Sequence, residues 1–223
     1  MLPEATLAAL PEPSGPVASP LQLVGLQCVR ARRTLFSDLS LDIPAGHVVR
    51  VQGANGAGKT SLLRIICGLL APHKGQVLWH GRSVARLHEE FGRQLVFFGH
   101  AAGLKAELSA LENLVVSAAL SGVQTDTPAA LQALEAAGLA GHERAPVRTL
   151  SQGQRRRAAL ARLVLAPVPL WVLDEPFNAL DQAATRWLVG LIGAQTHRGG
   201  IVVLTSHQSV ALDDRVPQLQ LAL

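Results

Sequence analysis

One loop of the chain has the residue types that bind phosphate, at the spacing GxxxxGK[ST]. Its residues are Gly53, Ala54, Asn55, Gly56, Ala57, Gly58, Lys59 and Thr60, followed by Ser61. The loop lies between an apolar run, VVRVQ, and a helical pattern, SLLRIICGLL, which is the context a phosphate-binding loop needs. Backbone N–H groups and the helix N-terminus would surround the phosphates, Lys59 would reach the β- and γ-phosphates, and Thr60 would offer an oxygen to Mg²⁺. The loop alone is equally typical of a kinase, a GTPase or a recombinase.

Two adjacent carboxylates, Asp174 and Glu175, follow the apolar run LWVL. Successive strand side chains point to opposite faces, but the chain turns at the end of a strand, so both acids can approach one phosphate site. We expect Asp174 to hold Mg²⁺, directly or through water, and Glu175 to polarise the attacking water. Ordinary solvation is the alternative for two acids at a strand end, and the phosphate loop makes it the weaker one.

A third motif narrows the class of nucleotide-binding protein. It reads LSQGQ and comprises Leu150, Ser151, Gln152, Gly153 and Gln154. The motif resembles the LSGGQ signature of ABC ATPases, with Gln152 in place of the first glycine. A helix that begins here brings a hydroxyl, N–H groups and a positive dipole to a γ-phosphate. In ABC proteins that phosphate belongs to ATP on the opposite subunit, so the resemblance implies a homodimer.

Two further positions follow the motif order of ABC ATPases. Asp181, in NALD, resembles the D-loop that crosses the dimer interface, and His207, in LTSHQ, resembles the switch histidine that contacts the γ-phosphate. The resemblance assigns catalysis to Glu175, His207 and Lys59. Three arginines, 155 to 157, follow the signature. We expect them to form a solvated helix face; a nucleic-acid patch is the alternative.

Two positions depart from the ABC pattern. His100 replaces the glutamine that senses Mg²⁺ and contacts the membrane partner in these ATPases. An imidazole can still bind metal or water, although its neutral form has a single acceptor nitrogen. The aromatic residue that stacks on adenine is also missing, and its place falls near Arg30. A guanidinium can stack on a base, so we expect Arg30 to contact the adenine.

Short β-branched runs that alternate with helical patterns are typical of an α/β fold. The apolar runs at 48–52, 95–98, 170–174 and 201–205 predict the central strands of a mostly parallel sheet. Two earlier runs, LQLVGLQCV and LSLDI, predict an antiparallel β layer with a polar turn at 30–33. The fold class we predict is therefore a P-loop NTPase of the ABC ATPase type.

Helix signals predict a small helical subdomain at about 99–165, inserted into an ATP-binding domain at 21–223. Ser109 and Glu112 form a capping box before ENLVVSAAL. For the next helix we expect Thr127 as the cap, Pro128 at the first position and Gly138 as the stop. Residues 1–20, rich in Pro and Ala, predict a flexible extension.

Composition and the pattern of apolar residues argue against a membrane-spanning protein and against a secreted one. The formal net charge of +4 and the pI of about 9.8 suit nucleic acid, anionic lipid or a phosphate ligand. The most apolar stretch, 163–173, contains two prolines and is shorter than the roughly 20 residues that cross a bilayer. The N-terminus has no secretory-signal pattern, so we expect a cytoplasmic chain. Cys28 and Cys67 form no CxxC pair, and we expect both to be buried as small hydrophobes.

A narrower resemblance covers about residues 21–210. The segments RTLFSDLS, FFGHAAGLKAELSALENL, AGLAGHERAPVRTLSQGQRRRAALARL and GGIVVLTSHQ are similar to the ATP-binding subunits of cytochrome c biogenesis, the CcmA or haem exporter ATPase family. It implies an ATPase at the cytoplasmic face of the bacterial inner membrane, attached only through multi-span partners of the CcmB and CcmC type. There it would drive release of a haem-loaded chaperone. No CxxCH motif is present, so haem would be handled by the partners.

Two rival functions remain open at this point. The first is the same ATPase serving a different exporter. The second is a soluble ABC ATPase that acts on nucleic acid, which the basic pI would tolerate. Such proteins usually carry two ATPase domains or a long coiled coil, whereas this chain has a single set of motifs. We therefore expect no nucleic-acid partner.

Overall fold

The computed structural model describes residues 19–208 and 210–223, so the predicted N-terminal extension lies almost wholly outside the described residues. The strands are β1 Leu21–Arg30, β2 Arg33–Ile43, β3 Val48–Gln52, β4 Lys74–Trp79, β5 Arg82–Ser83, β6 Leu95–Phe98, β7 Leu170–Leu173, β8 Ile201–Thr205 and β9 Gln218–Ala222. The helices are α1 Lys59–Ile66, α2 Val84–Leu87, α3 Glu89–Gly92, α4 Ala110–Leu120, α5 Thr127–Ala136, α6 Gln152–Leu160, α7 Arg162–Leu165 and α8 Gln182–His197, with a 3-10 turn at Val147–Thr149.

A five-stranded parallel sheet forms the centre of the fold, in the order β6-β7-β8-β3-β9. All residues of β7 and β8 are buried, because the sheet is covered on both faces. The four predicted central strands are confirmed. Since the strands are parallel, their carboxyl ends share one edge, and the segments after β3, β6, β7 and β8 meet there.

An antiparallel sheet, in the order β2-β1-β4-β5, packs on the first. Its β1–β2 hairpin turns at Ala31 and Arg32, both with positive φ, so the predicted antiparallel layer and its turn are confirmed. One buried cluster joins this sheet, α1 and one face of the parallel sheet, including Val49, Val172 and Val203. The alternate residues of the same strands belong to a second cluster on the opposite face, which α8 covers.

The helices between β6 and β7 enclose a third buried cluster, formed by side chains of α4, α5 and α6. The predicted capping box is confirmed, because the Ser109 hydroxyl accepts from the Glu112 amide and the Glu112 carboxylate accepts from the Ser109 amide. The boundary of a helical subdomain at 99–165 stays a prediction.

The predicted cap of α5 is wrong by one residue. Asp126 is the N-cap, and its carboxylate accepts from the Ala129 amide at 2.8 Å. Thr127 is instead the first helical residue, and Pro128 follows in the first turn. An aspartate caps as well as a threonine, so two adjacent candidates competed for the position. Gly138, with φ +73°, lies just beyond the C-cap and confirms the predicted stop.

Both cysteines are buried and free, as expected, and burial raises the pKa of the Cys67 thiol. Within residues 19–208 and 210–223, no helix combines the length and apolarity that crossing a bilayer requires.

Candidate active site

The phosphate loop connects the end of β3 to the start of α1. Gly58 is the N-cap of α1, with φ +108°. A Cβ there would lie 3.1 Å from Leu35 and 3.2 Å from Phe36, so both the backbone and the close packing require glycine. The Lys59 ammonium donates to the Gly53 carbonyl at 2.7 Å and the Ala54 carbonyl at 3.2 Å. The lysine therefore lies across its own loop, where the phosphates of a nucleotide would bind.

Asp174 lies directly after β7 and is 3% exposed. One carboxylate oxygen accepts from the Thr60 hydroxyl at 2.8 Å, and the other accepts from the Thr205 hydroxyl at 2.8 Å. These contacts join the phosphate loop, β7 and β8. Thr60 and Asp174, two of the three residues predicted to hold Mg²⁺, are thus in direct contact, and the third is His100.

Glu175 has a backbone φ of 50°, an uncommon conformation for a residue other than glycine. Its amide donates to the Thr205 hydroxyl at 2.8 Å. One carboxylate oxygen, Oε2, accepts from the His207 amide at 3.1 Å. The other, Oε1, lies 3.3 Å from Nε2 of His207 and has no hydrogen-bond partner of good geometry in the described part of the chain. The predicted base and switch histidine are therefore neighbours.

These groups line one cavity of about 370 Å³, which lies within the size range of small-molecule sites. Its lining residues are Leu35, Asn55, Gly56, Gly58, Lys59, Thr60, Ser61, His100, Asp174, Glu175, Asn178 and His207. The structure thus brings together the phosphate loop, both acids, His100 and His207. Arg30 does not line the cavity, and its contact with adenine stays a prediction.

A larger groove of about 1020 Å³ lies elsewhere, between β6, the C-terminal end of α4 and the segment after α7. None of the motif residues lines it. Its walls include Phe97, Leu120 and Arg162. The smaller cavity is the candidate active site, because it brings the phosphate loop together with Asp174, Glu175 and His207, whereas the groove contains no lysine and no residue of these motifs.

The signature segment begins helix α6, as predicted. Ser151 is the N-cap, its hydroxyl accepts from the Gln154 amide at 3.2 Å, and the Gln154 side chain accepts from the Ser151 amide at 2.8 Å. A Cβ at Gly153 would lie 2.9 Å from the Ala179 carbonyl, so the helix start packs closely against the D-loop segment. No signature residue lines the phosphate cavity of its own chain.

The prediction that residues 155–157 form a solvated helix face is wrong for Arg156. Arg155 is exposed, and Arg157 is partly exposed and binds the Gly138 carbonyl at 2.9 Å. Arg156, however, is 8% exposed and donates to backbone carbonyls beside the active site. Its helix turns it towards the sheet, in line with the buried Ala159, Leu160 and Leu163.

Asp181 caps helix α8, and its carboxylate accepts from the Ala184 amide at 2.8 Å. Its role at a dimer interface stays a prediction.

Sequence reasoning missed Thr205, which binds Asp174 and Glu175 at once, although a polar residue that ends the run IVVLT was an available signal. It also missed Asn178 as a cavity residue.

No cluster of three or more His, Cys, Asp or Glu side chains suited to a metal occurs in residues 19–208 and 210–223. That is compatible with Mg²⁺ in a nucleotide site, because the ion is usually held by one or two protein oxygens together with phosphates and water. The Thr60 hydroxyl and the Asp174 carboxylate, 2.8 Å apart, are donors of this type.

The chain matches the family model described as ABC transporter over residues 36–178. The cytochrome c biogenesis ATP-binding export protein CcmA of Dechloromonas aromatica is 47% identical over 190 residues, covering 85% of this chain and 93% of the relative. The CcmA of Pseudomonas aeruginosa is 48% identical over 192 residues, covering 86% of this chain and 95% of the relative.

Solved structures give the same fold. A putative ABC transporter ATP-binding protein from Pyrococcus furiosus is 26% identical with a TM-score of 0.77, covering 90% of this chain and 96% of that chain. The dimeric post-hydrolysis state of an ATP-binding cassette, bound to ADP and Pi, is 24% identical with a TM-score of 0.72, covering 84% of this chain and 88% of that chain. From its phosphate loop, paired acids and signature, and from relatives similar along nearly their whole length, the chain belongs to the ABC transporter ATP-binding family and, within it, to the CcmA ATPases.

Proposed function

We propose that this chain is the ATP-hydrolysing subunit of a membrane complex for cytochrome c biogenesis, which exports haem or releases a haem-loaded chaperone. The observation that carries the proposal is the convergence of Lys59, Thr60, Asp174, Glu175 and His207 in one cavity. The names of the relatives support the pathway, because they are cytochrome c biogenesis export proteins that match most of this chain.

Lys59 and the phosphate loop bind the β- and γ-phosphates. In the free chain the lysine ammonium is satisfied by two loop carbonyls, at 2.7 and 3.2 Å. Phosphate oxygens replace these weaker acceptors when ATP binds, and the N–H groups that begin α1 point at the same ligand. Arg30 at the end of β1 stacks on the adenine in this proposal.

Thr60 and Asp174 would hold Mg²⁺, and His100, which lines the same cavity, would be a further ligand. When bound, the ion supplies charge compensation to the β- and γ-phosphates. Thr205 keeps one Asp174 oxygen occupied and so directs the other towards Thr60.

Glu175 polarises the attacking water. Oε1, the carboxylate oxygen without a well-formed hydrogen bond, accepts a proton of the water as the water oxygen bonds to the γ-phosphorus. The bond from that phosphorus to the β,γ-bridging oxygen breaks at the same time, and ADP leaves. His207, whose Nε2 lies 3.3 Å from Glu175, is placed to donate to a γ-phosphate oxygen.

The hydrolytic site is completed by a second copy of the chain. Ser151 and Gln152 are exposed and lie outside the cavity that contains Lys59. Their helix N-terminus can therefore serve a γ-phosphate only on another subunit, and Asp181 lies next to that interface. The dimeric neighbour bound to ADP and Pi supports this arrangement.

The membrane partner, an integral protein of the CcmB or CcmC type, contacts the groove beside β6. The rim exposes Leu120 by 85%, a large apolar side chain that an apolar partner segment would cover. Arg162, in its wall, donates to the Phe97 carbonyl, on the strand that leads to His100. His100 follows β6 and lines the phosphate cavity, so in this proposal it links the groove to the metal site. Attachment through this partner places the chain at the cytoplasmic face of the inner membrane.

The functional test is complementation in bacteria that lack their own cytochrome c biogenesis ATPase. We expect this chain to restore c-type cytochromes, measured by haem staining, and the Glu175→Gln variant to fail at equal expression. Restoration by neither protein, with intact ATP turnover in the wild type, would point to a different exporter. Stimulation of turnover by DNA or RNA, without any effect of membrane partners, would point to the nucleic-acid alternative.

The groove is tested separately by Leu120→Asp. The matched control is Leu69→Asp, which changes a leucine that is 64% exposed and lies outside the groove. We expect only Leu120→Asp to reduce co-purification with the membrane partner. Equal retention of the partner by both variants contradicts the docking proposal.

A further inference from the structure

Arg156 joins the signature helix to the ends of two neighbouring strands. Its Nη1 donates to the His100 carbonyl at 3.0 Å. Its Nη2 donates to the Asp174 carbonyl at 3.2 Å and also to the Glu175 carbonyl. Those carbonyls follow β6 and β7, which pair in parallel. One planar guanidinium therefore connects α6 with both loops that carry the predicted metal and water-activating residues.

The surroundings of Arg156 keep its charge in place. Burial lowers the pKa of the guanidinium, while the Asp174 and Glu175 carboxylates act in the opposite direction. An arginine stays protonated under these conditions. Nη1 and Nη2 of Arg156 donate to backbone carbonyls, whereas its Nε is buried without a hydrogen-bond partner in the described part of the chain. The guanidinium also lies over the Phe98 ring, 4.4 Å from its centroid. These contacts hold the Arg156 side chain in one position, unlike the side chain of an arginine on the surface.

The backbone of Glu175 depends on the same contacts. Its φ of 50° is sparsely populated by residues other than glycine and persists only when neighbouring groups hold it. The amide is held by the Thr205 hydroxyl at 2.8 Å, and the carbonyl accepts from Arg156 and from the Asn178 amide at 3.2 Å. Loss of Arg156 would leave the Asn178 amide as the remaining donor to this carbonyl, and the weaker hold on the peptide would let the carboxylate shift.

We propose that Arg156 is a positioning residue for hydrolysis, which fixes the Glu175 carboxylate and the His100 loop relative to the signature helix. Arg156 does not line the phosphate cavity, so it acts through Glu175. The proposal rests on the assignment of Glu175 as the group that polarises water.

The neighbouring arginine provides a matched control. Arg157 also donates to a backbone carbonyl, that of Gly138. Gly138 belongs to the segment between α5 and α6, whereas the carbonyls that Arg156 binds follow β6 and β7. Arg157→Met therefore removes the same chemical group from the same helix without affecting the Glu175 peptide. Arg156→Met removes the anchor, and Arg156→Lys keeps a charged donor that cannot reach all three carbonyls with a planar fork.

The experiment measures kcat for ATP turnover, Kd for ATP and the melting temperature of the assembled complex. We expect Arg156→Met to lower kcat by roughly 10²-fold, the scale of a catalytic group displaced by about 1 Å, with Kd for ATP unchanged. The kcat of Arg156→Lys should lie between those of Arg156→Met and the wild type, and the kcat of Arg157→Met should equal that of the wild type. In a Glu175→Gln background, Arg156→Met should lower kcat no further, because both changes act on one group.

A wild-type kcat in Arg156→Met would overturn the proposal. So would a loss of kcat on Arg156→Met that is as large in the Glu175→Gln background as in the wild-type background. If Arg156→Met does not fold, Arg156→Lys decides: lowered kcat at constant Kd supports the role, and wild-type kcat rejects it. Wild-type turnover in Glu175→Gln alone refutes the base assignment instead, and that measurement does not involve Arg156.

Discussion

The phosphate loop and the signature segment are both built around a helix N-terminus, yet their polar groups are arranged differently. In the phosphate loop, Lys59 binds two carbonyls of its own loop, and Thr60 binds the Asp174 carboxylate of another segment. In the signature segment, the side chains of Ser151 and Gln154 accept from each other's backbone amides. The first is a cavity closed on several sides, and the second is an exposed helix end.

The difference indicates which groups for ATP hydrolysis lie around the phosphate loop and which lie on the signature segment. The phosphate loop lies at the edge where four strand ends meet, so the chain itself supplies binding, metal and base groups. The signature has a dipole and a hydroxyl but no cavity within its own chain. In the function proposed above, the signature acts on a phosphate bound by a second copy, and the two regions form one site when two copies face each other.

The largest effect is expected from Glu175→Gln, which changes the group that polarises water and leaves the phosphate loop and the signature segment unchanged. An amide cannot take the proton of water, so kcat should fall by roughly 10²- to 10⁴-fold. ATP should still bind, and the ATP-bound dimer should accumulate because it is not consumed. Turnover assays with the membrane partners, together with sedimentation of the isolated chain with ATP, test both expectations. Near-normal turnover would remove Glu175 from the mechanism.

Ser151→Arg tests the signature side. The added bulk lies where the opposing γ-phosphate should bind, and overpacking of about 1–3 kcal/mol should weaken ATP-dependent dimers roughly 5- to 150-fold. Ser151→Ala is the matched variant, because it loses the cap hydroxyl without adding bulk. In the Glu175→Gln background, sedimentation with ATP should show dimers for Ser151→Ala and mostly monomers for Ser151→Arg. Equal dimerisation of the two variants contradicts the proposed interface.

Lys59→Ala should weaken ATP binding by a single chain. Loss of a charged hydrogen bond of about 1.5–3 kcal/mol corresponds to roughly 10- to 150-fold in Kd. Lys74→Ala, at an exposed position in β4, is the control and should bind ATP as the wild type does. Binding of a fluorescent nucleotide to the monomer measures the effect. Unchanged Kd in Lys59→Ala would place the phosphates elsewhere.

Smaller effects are expected at His100, which lines the phosphate cavity but follows the strand beside the groove. His100→Ala should leave ATP affinity nearly intact and lower the release of haem-loaded chaperone per ATP hydrolysed. His100→Gln should be mild, because the amide oxygen replaces the acceptor nitrogen. The two rates are compared in the assembled complex. A wild-type ratio in the alanine variant leaves His100 with a packing role only.

The smallest effect concerns a cap far from both regions. Asp126→Ala should lower the free energy of unfolding by about 1 kcal/mol, because it removes the acceptor of the Ala129 amide. Thr127→Ala should cost less, because Thr127 is already inside α5. Chemical denaturation measures both, and ATP turnover per folded chain should not change. A larger loss for Thr127→Ala would restore the cap predicted from sequence.

The active-site motifs were predictable because their residues are adjacent in sequence and follow strands with continuous apolar runs. Lys59, Asp174, Glu175 and His207 all follow from that logic. Strand β4 was not predicted, since its first half, KGQ, is polar and exposed. Arg156 was missed because three identical residues in a row hide which one faces the sheet. Its spacing to Ala159, Leu160 and Leu163 was the available signal.

The most direct test of a site shared between two copies is to mix two inactive variants. Lys59→Ala has an intact signature, and Ser151→Arg has an intact phosphate loop, so a mixed dimer contains one complete site. Each variant alone should have little ATP turnover, and mixing equal amounts at high concentration should restore a substantial part of the wild-type rate. A mixture no more active than the two variants measured separately would contradict completion of the site by a second chain.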